Sequence, residues 1–343
     1  MRRVRVLAGV SVVPLLTLGL GAGPAASVED GRTAASAAST ASARVSAPAS
    51  LVELRAAPGV ADTLVRERAP QASSGQLRQR AARFNVTYRG FANRPAARRA
   101  FQSAVNVWKA RVSSSVPITV RATFTDLGPG VLGSAGPSRI YRNFRGAPKR
   151  DTWYVDAIAN KRRGTNIHRS PDIIANFNKG FRGWYFGTDG RPPARKYDFK
   201  TVVLHELGHG LGFLGAGTVN RSRGSVQFKV GGNPSPVSYD RFTENRAGRK
   251  LLGFPNNSTQ LGNQLRSRNV FFDSPRVRDT NRGNRARLYA PRTWAQGSSY
   301  SHLDEGTYRP GNANSLMTPF LRSAEAIHTP GPITNALFRS IGW

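Results

Sequence analysis

The stretch TVVLHELGHGLGF, Thr201 to Phe213, constrains this chain more than any other. Two histidines four positions apart project from one face of a helix, and Glu206 follows the first directly. Phe199, Val202, Val203, Leu207 and Leu211 recur at helical spacing and read as the buried stripe, with Asp198 a good N-cap residue before them. Any fold adopted here has to bury that stripe with His205, Glu206 and His209 beside it. Gly208, Gly210 and Gly212 weaken a continued helix, so a sharp turn is predicted near Gly212 or Gly215.

Histidines at this spacing are close enough to bind one Zn²⁺, and they point to metal chemistry. A carboxylate next to the first ligand, Glu206, faces a water held on the ion instead of the ion itself. The ion brings that water's pKa toward neutrality. The carboxylate takes its proton as it attacks a polarised carbonyl, then delivers it to the leaving amine. This is the mechanical sense of H-E-x-x-H on a helix.

Two protein ligands leave a catalytic zinc one short. The extended motif H-E-x-x-H-x-x-G-x-x-H would place a histidine at position 215, where Gly215 stands. The chain holds only five histidines, so the open candidates are His168, His302, His328, or a carboxylate such as Asp240 or Glu244, which share helical spacing. His302 is set apart by its surroundings, SSYSHLDEGTYRPGNANSLMTPF.

VVLHELGHGLGF resembles the active-site helix of metzincin zinc peptidases. The late histidine followed by SLMTP is similar to the third ligand and methionine turn of leishmanolysin-like members, in which a long insertion separates the second and third ligands. Here that separation is 302 − 209 = 93 positions, and Met317 follows 317 − 302 = 15 positions later. The resemblance runs from about Phe84 to Trp343 in element order, while its specific motifs occupy two short blocks. It implies zinc bound by His205, His209 and His302, with Glu206 as base and Met317 as a structural platform. The chain departs from these relatives in having no cysteine framework and in carrying Pro319 two positions after Met317, where astacins place a tyrosine ligand. A glutamate third ligand, Glu244, is the arrangement that gluzincins would suggest instead. Residues 172–178, DIIANFN, stand where metzincins place their substrate-binding edge strand, which pairs with an extended peptide. Asp304 and Glu305 are candidates to orient the His302 ring, and Tyr300 and Tyr308 to polarise a carbonyl.

Arg2, Arg3 and Arg5 before VLAGVSVVPLLTLGLG and the small residues AGPAAS read as an export signal over 1–26. No later segment is apolar enough to span a bilayer. Residues 27–82 are Ala/Ser-rich with few aromatics, and are expected to be a disordered linker or propeptide. The metallopeptidase domain is expected over 83–343, as an N-terminal subdomain 83–215 and an irregular C-terminal one 216–343. The absence of cysteine excludes disulfides and thiolate zinc ligands. A net charge of +32 is spread along the chain without a nucleic-acid recognition motif, so dedicated nucleic-acid binding is not expected, whereas anionic cell-surface polymers remain compatible partners.

RFNVTYRGF and VPITVRATFT read as strands, TWYVDAIAN and DIIANFN as strands or strand edges, the segment after Pro95 as a helix, and ITNALFRSIGW as a docked C-terminal helix. The expected class is α+β and zincin-like: a twisted mixed sheet with packed helices, the active-site helix, then irregular structure. The expected function is a secreted zinc endopeptidase acting on protein or peptide substrates. The alternatives are a polyanion- or cell-wall-binding protein with a zinc-dependent fold, and a zinc hydrolase of a non-peptide amide.

Overall fold

Along Ile118–Thr125 side chains alternate between buried and half-buried, placing Ile118, Val120, Ala122 and Phe124 on one face. That period-two burial fixes a strand inside a half-covered sheet. The computed structural model describes residues 45–48, 51–65, 81–230 and 233–343. The export-signal reading of 1–26 lies outside the described residues. Ser42–Trp343 forms one compact unit, and no helix among the described residues is long and apolar enough to cross a membrane.

The main sheet has six strands: β1 (Val52–Val65), β2 (Phe84–Arg89), β3 (Ile118–Thr125), β4 (Val131–Pro137), β5 (Ile173–Asn178) and β6 (Phe320–Ile327). Their order is β6-β1-β4-β5-β3-β2. Only β4 is antiparallel to its neighbours, β5 and β1; the β2–β3, β3–β5 and β1–β6 pairs are parallel. The molecule is therefore α+β with a mixed sheet, and six α-helices lie among the described residues.

Two of these strands correct the sequence reading. Residues 52–65, expected to be disordered, form β1, and 45–48 pair with Arg139–Arg142. β1 is flanked by β4 and β6 and sends Val52 and Leu54 into the core, while 45–48 are ordered by pairing with Arg139–Arg142. Residues 173–178, set at a substrate-binding edge by the resemblance and equally open to an internal place on the sequence alone, form β5, which is internal, with β4 on one side and β3 on the other. In TWYVDAIAN only Tyr154–Val155 is strand, and Asp156 opens α2 (Asp156–Arg163).

Helix α1 (Pro95–Lys109) starts at proline, whose fixed φ suits the first turn. It buries Ala97, Ala100, Phe101, Ala104, Val105 and Trp108 against α3 (Phe199–Gly210) and the sheet. The Trp108 indole donates to the Leu204 carbonyl at 3.0 Å, which pins α1 to α3. Beyond α3 come a small antiparallel sheet of Thr243–Asn245, Val270–Phe272 and Ala286–Leu288 and the short helices α4 (Thr259–Leu265) and α5 (Pro275–Thr280). Helix α6 (Gly331–Ile341) buries Leu337 and Phe338, with Phe338 edge-on to Trp108 at 5.0 Å. The Trp343 indole donates to the Leu211 carbonyl at 2.7 Å, so the chain end is tied to the turn after α3.

Candidate metal centre

Asp198 caps α3 through its carboxylate, which accepts from the Thr201 N–H at 2.8 Å and its hydroxyl at 2.7 Å. All twelve residues of α3 are buried, because helix α1, the sheet and the chain after Ser315 enclose it. Three glycines make this closeness possible. An ideal Cβ at Gly210 would stand 2.3 Å from Ile173 Cγ2, and one at Gly208 would stand 2.9 Å from Met317 Sδ. Gly212 has φ +119°, a conformation open to residues without Cβ, and turns the chain after the helix.

The first two histidines are set by helical spacing, the third by the fold. His302 lies between two anchored backbones: the Tyr289 N–H donates to its carbonyl at 2.9 Å, and the Leu303 N–H donates to the Met317 carbonyl at 2.7 Å. The turn Ser315–Met317 sits beneath α3, with the Met317 side chain against Gly208. Through it the Leu316 carbonyl receives the His205 Nδ1 hydrogen bond at 2.6 Å.

His205, His209 and His302 are fully buried, and their ligand atoms lie within 4.8 Å of one another. The three Nε2 atoms are 2.8 Å (205–209), 3.2 Å (205–302) and 3.2 Å (209–302) apart. Every Nδ1 faces a backbone carbonyl: Leu316 at 2.6 Å, Phe213 at 2.8 Å and Ser298 at 2.7 Å. A carbonyl can only accept, so each Nδ1 carries the proton and each neutral ring turns a bare Nε2 lone pair inward. Burial favours the neutral form, pushing His205 down to about 4 and His209 and His302 well below their usual value. Three lone pairs at this separation cannot hydrogen-bond one another; a cation satisfies them. Imidazoles at tetrahedral angles about 2.0–2.1 Å from one ion would have nitrogens about 3.3 Å apart, close to what the triad shows. The site fits a metal ion.

Glu206 is also fully buried. Its Oε1 accepts from the Leu54 N–H at 3.3 Å, and its Oε2 has no hydrogen-bond partner among the described residues. Burial drives the carboxyl well above its usual range, against the backbone N–H groups of Leu54 and Ala135; a neighbouring divalent cation acts in the opposite direction.

The remaining candidates lie elsewhere. Asp240 accepts from the Ala216 and Val237 N–H groups and the Tyr300 hydroxyl, and Glu244 is bridged to Lys250 and Arg285 at 2.8 Å each. Both carboxylates are thus committed to structural bonds. His168 is exposed beside Ser170, and His328 bonds the Asp198 cap at 2.8 Å. Asp304 turns to Thr307 and Glu305 to Arg322, while the ring of His302 is oriented by Ser298. The Tyr300 hydroxyl is held by Asp240 and Thr243 and that of Tyr308 by the Arg287 N–H, so neither serves a carbonyl at the triad. Tyr300 also explains why position 215 is glycine: an ideal Cβ there would lie 2.2 Å from its ring.

The sequence reading missed Gly133 of β4. Its missing side chain makes room for the carboxylate, since an ideal Cβ would be 2.9 Å from Glu206 Oε1 and 3.0 Å from its Cγ. The small residues of VLGSAGP were the available signal. Comparison of the chain with protein-family models, curated proteins and solved structures finds no match.

Proposed function

We propose that this chain is an exported zinc-dependent endopeptidase of zincin-like fold that hydrolyses peptide bonds in protein or peptide substrates. The observation that carries the reading is the convergence of three neutral, inward-facing imidazole nitrogens next to a buried glutamate with one unpartnered oxygen. Three imidazoles are a ligand set of catalytic zinc, which keeps its fourth position for water or substrate. A zinc ion held here supplies Lewis acidity and lowers the pKa of a water.

The chain's own groups do the rest. Leu316, Phe213 and Ser298 fix each ring's tautomer and raise its basicity. Glu206 accepts the proton of the attacking water at a carboxylate oxygen and returns it to the leaving nitrogen, a role that the Leu54 amide donating to its Oε1 supports by showing the carboxylate within reach of a peptide N–H. The mixed sheet packed on α3 supports the zincin-like assignment, with β4, not β5, as the strand beside the base.

The test is metal analysis with peptide digestion. The purified protein should carry about one zinc per chain. Chelation should abolish cleavage and zinc restore it. Glu206→Gln should keep zinc and lose turnover by about 10² or more. Cleavage that persists under a strong chelator would remove the proposal.

A further inference from the structure

Strand β1 runs where a substrate of this site would run. It is antiparallel to β4, with Val52 opposite Ala135, Glu53 opposite Ser134 and Leu54 opposite Gly133, and parallel to β6, with Phe320 opposite Arg55 and Leu321 opposite Ala56. Main-chain bonds hold it on both sides: Glu53 N–H to Gly297 O at 2.9 Å, Arg55 N–H to Pro319 O at 3.2 Å, and Ala56 N–H to Gly130 O at 2.8 Å. Backbone bonding of this kind admits many side chains, and is how an extended peptide joins a sheet edge.

We infer that Val52–Ala57 is an occupant of the substrate cleft, an internal extended peptide that presents the Glu53–Leu54 bond to Glu206 and competes with substrate for the site. This rests on the peptidase reading. The nitrogen of that bond donates to Glu206 Oε1 at 3.3 Å, so it stands where the carboxylate would protonate a leaving amine. Val52, Leu54 and Ala57 are buried, whereas Glu53 and Arg55 are half-buried and bridge each other at 2.8 Å. The cleft thus takes an extended peptide with an aliphatic, leucine-sized residue on the amine side of the bond.

Two features separate an occupant from a permanent strand. The first is irregular pairing: β1 faces β4 only from Val52 to Arg55, where the register slips between Leu54 and Arg55, and its Pro58 and Gly59 lie beyond that stretch, beside β6. Proline has no N–H to give to a ladder. Against β6 the register slips between Leu321 and Ser323, across Pro58 and Gly59, and again between Ser323 and Glu325. The second is that both walls are anchored without it. β4 pairs with β5, while on β6 the Ile327 N–H bonds the Thr201 hydroxyl of α3 at 2.8 Å and the Ala324 N–H bonds the Lys196 carbonyl at 2.8 Å. Withdrawal of β1 leaves a groove with a free strand edge on each side and Glu206 beside it.

The test uses the full chain, zinc-loaded, and a fluorescent synthetic peptide of residues 51–57. In the Glu206→Gln background, where turnover is suppressed, adding Leu54→Asp places a charge in the buried position and expels the strand. The peptide should then bind about tenfold more tightly or better, because an occupied site weakens apparent affinity by the fraction of time it is free. In the wild-type chain, saturating unlabelled peptide should raise hydrogen exchange at 52–57 and leave 131–137 protected. Equal peptide affinity with and without Leu54→Asp in chains that retain zinc would overturn the inference, as would unchanged exchange at 52–57. Leu54→Asp with Glu206 intact separates the two readings. Gained peptide binding without hydrolysis upholds the occupant and sinks the peptidase, whereas gained hydrolysis supports both.

Discussion

Gly133 and Gly210 show how single absent side chains position the chemistry. At Gly133 an added methyl would meet Glu206 at 2.9–3.0 Å, so Gly133→Ala has to displace the carboxylate. Displacements of about 1 Å cost on the order of 10² in rate, so turnover should fall by that order while zinc stoichiometry stays near one. Unchanged turnover in that variant would mean that Glu206 is not the base. At Gly210 the two local effects oppose each other. In a free helix Gly→Ala gains about 1 kcal/mol. Here the methyl meets Ile173 Cγ2 at 2.3 Å, and overpacking costs about 1–3 kcal/mol. Gly210→Ala should therefore destabilise, which denaturant unfolding of zinc-free protein would measure. The paired histidines and Glu206 were legible because their relation is local, set by helical spacing. Gly133 was not, because what it makes room for lies 206 − 133 = 73 positions later.

At the scale of elements, α2 begins with an acidic group that should make stability depend on pH. Asp156 is buried, accepts from the Ser138 hydroxyl at 3.2 Å and from the Asn160 amide at 3.2 Å, and shares Asn160 with Asp172. Burial first, then the charge of Asp172, pushes Asp156 up to about 8. A carboxyl raised in the fold is protonated there while the unfolded chain ionises from about 4. Its stabilising contribution is complete below about 4 and is lost as pH rises to about 8. Melting of wild type should decline across that window, and Asp156→Asn should flatten the decline; equal slopes would place the pH dependence elsewhere. The same scale shows why some elements were legible and others not. Helices α1 and α3 and strand β3 carry their own apolar period, with Ala97, Phe101 and Trp108 or Ile118, Val120 and Phe124 facing one way. In β1 only Val52 and Leu54 alternate inward, a signal too short to stand out from the Ala/Ser-rich segment around it. β4 reads as VLGSAGP because α3 must approach it closely, and small residues erase the alternation. Whether β5 was internal or an edge depended on β4, so its own six residues could not tell.

For the whole molecule, the triad is a long-range tie. His205 and His209 belong to a helix bonded to α1, whereas His302 arrives from the small-sheet region 93 positions later. Several protein bonds already join the halves: Leu316 to His205, Met317 under Gly208, Trp343 to Leu211. A metal ion would add one more, and at 1,000 times its Kd a ligand that binds only the folded state stabilises by about 4 kcal/mol. Chelation should therefore lower the melting temperature and raise hydrogen exchange most around 298–317, the stretch that carries His302 and the turn beneath α3. His302→Ala should lower zinc affinity sharply and melt at the same temperature with or without chelator. His168→Ala should match wild type in both respects. His328→Ala removes a bond to the Asp198 cap and should lower stability by about 0.5–2 kcal/mol, yet retain its zinc. Met317→Leu should be mild, since the volume against Gly208 is roughly kept. Zinc stoichiometry and chelator-dependent melting across these variants decide the matter. The decisive contrast is between His302→Ala and Glu244→Ala. Glu244 is spent on Lys250 and Arg285, so its loss should cost stability without metal. If instead Glu244→Ala released the zinc and His302→Ala kept it, the tie would run through the carboxylate, and the three-histidine centre would have to be given up.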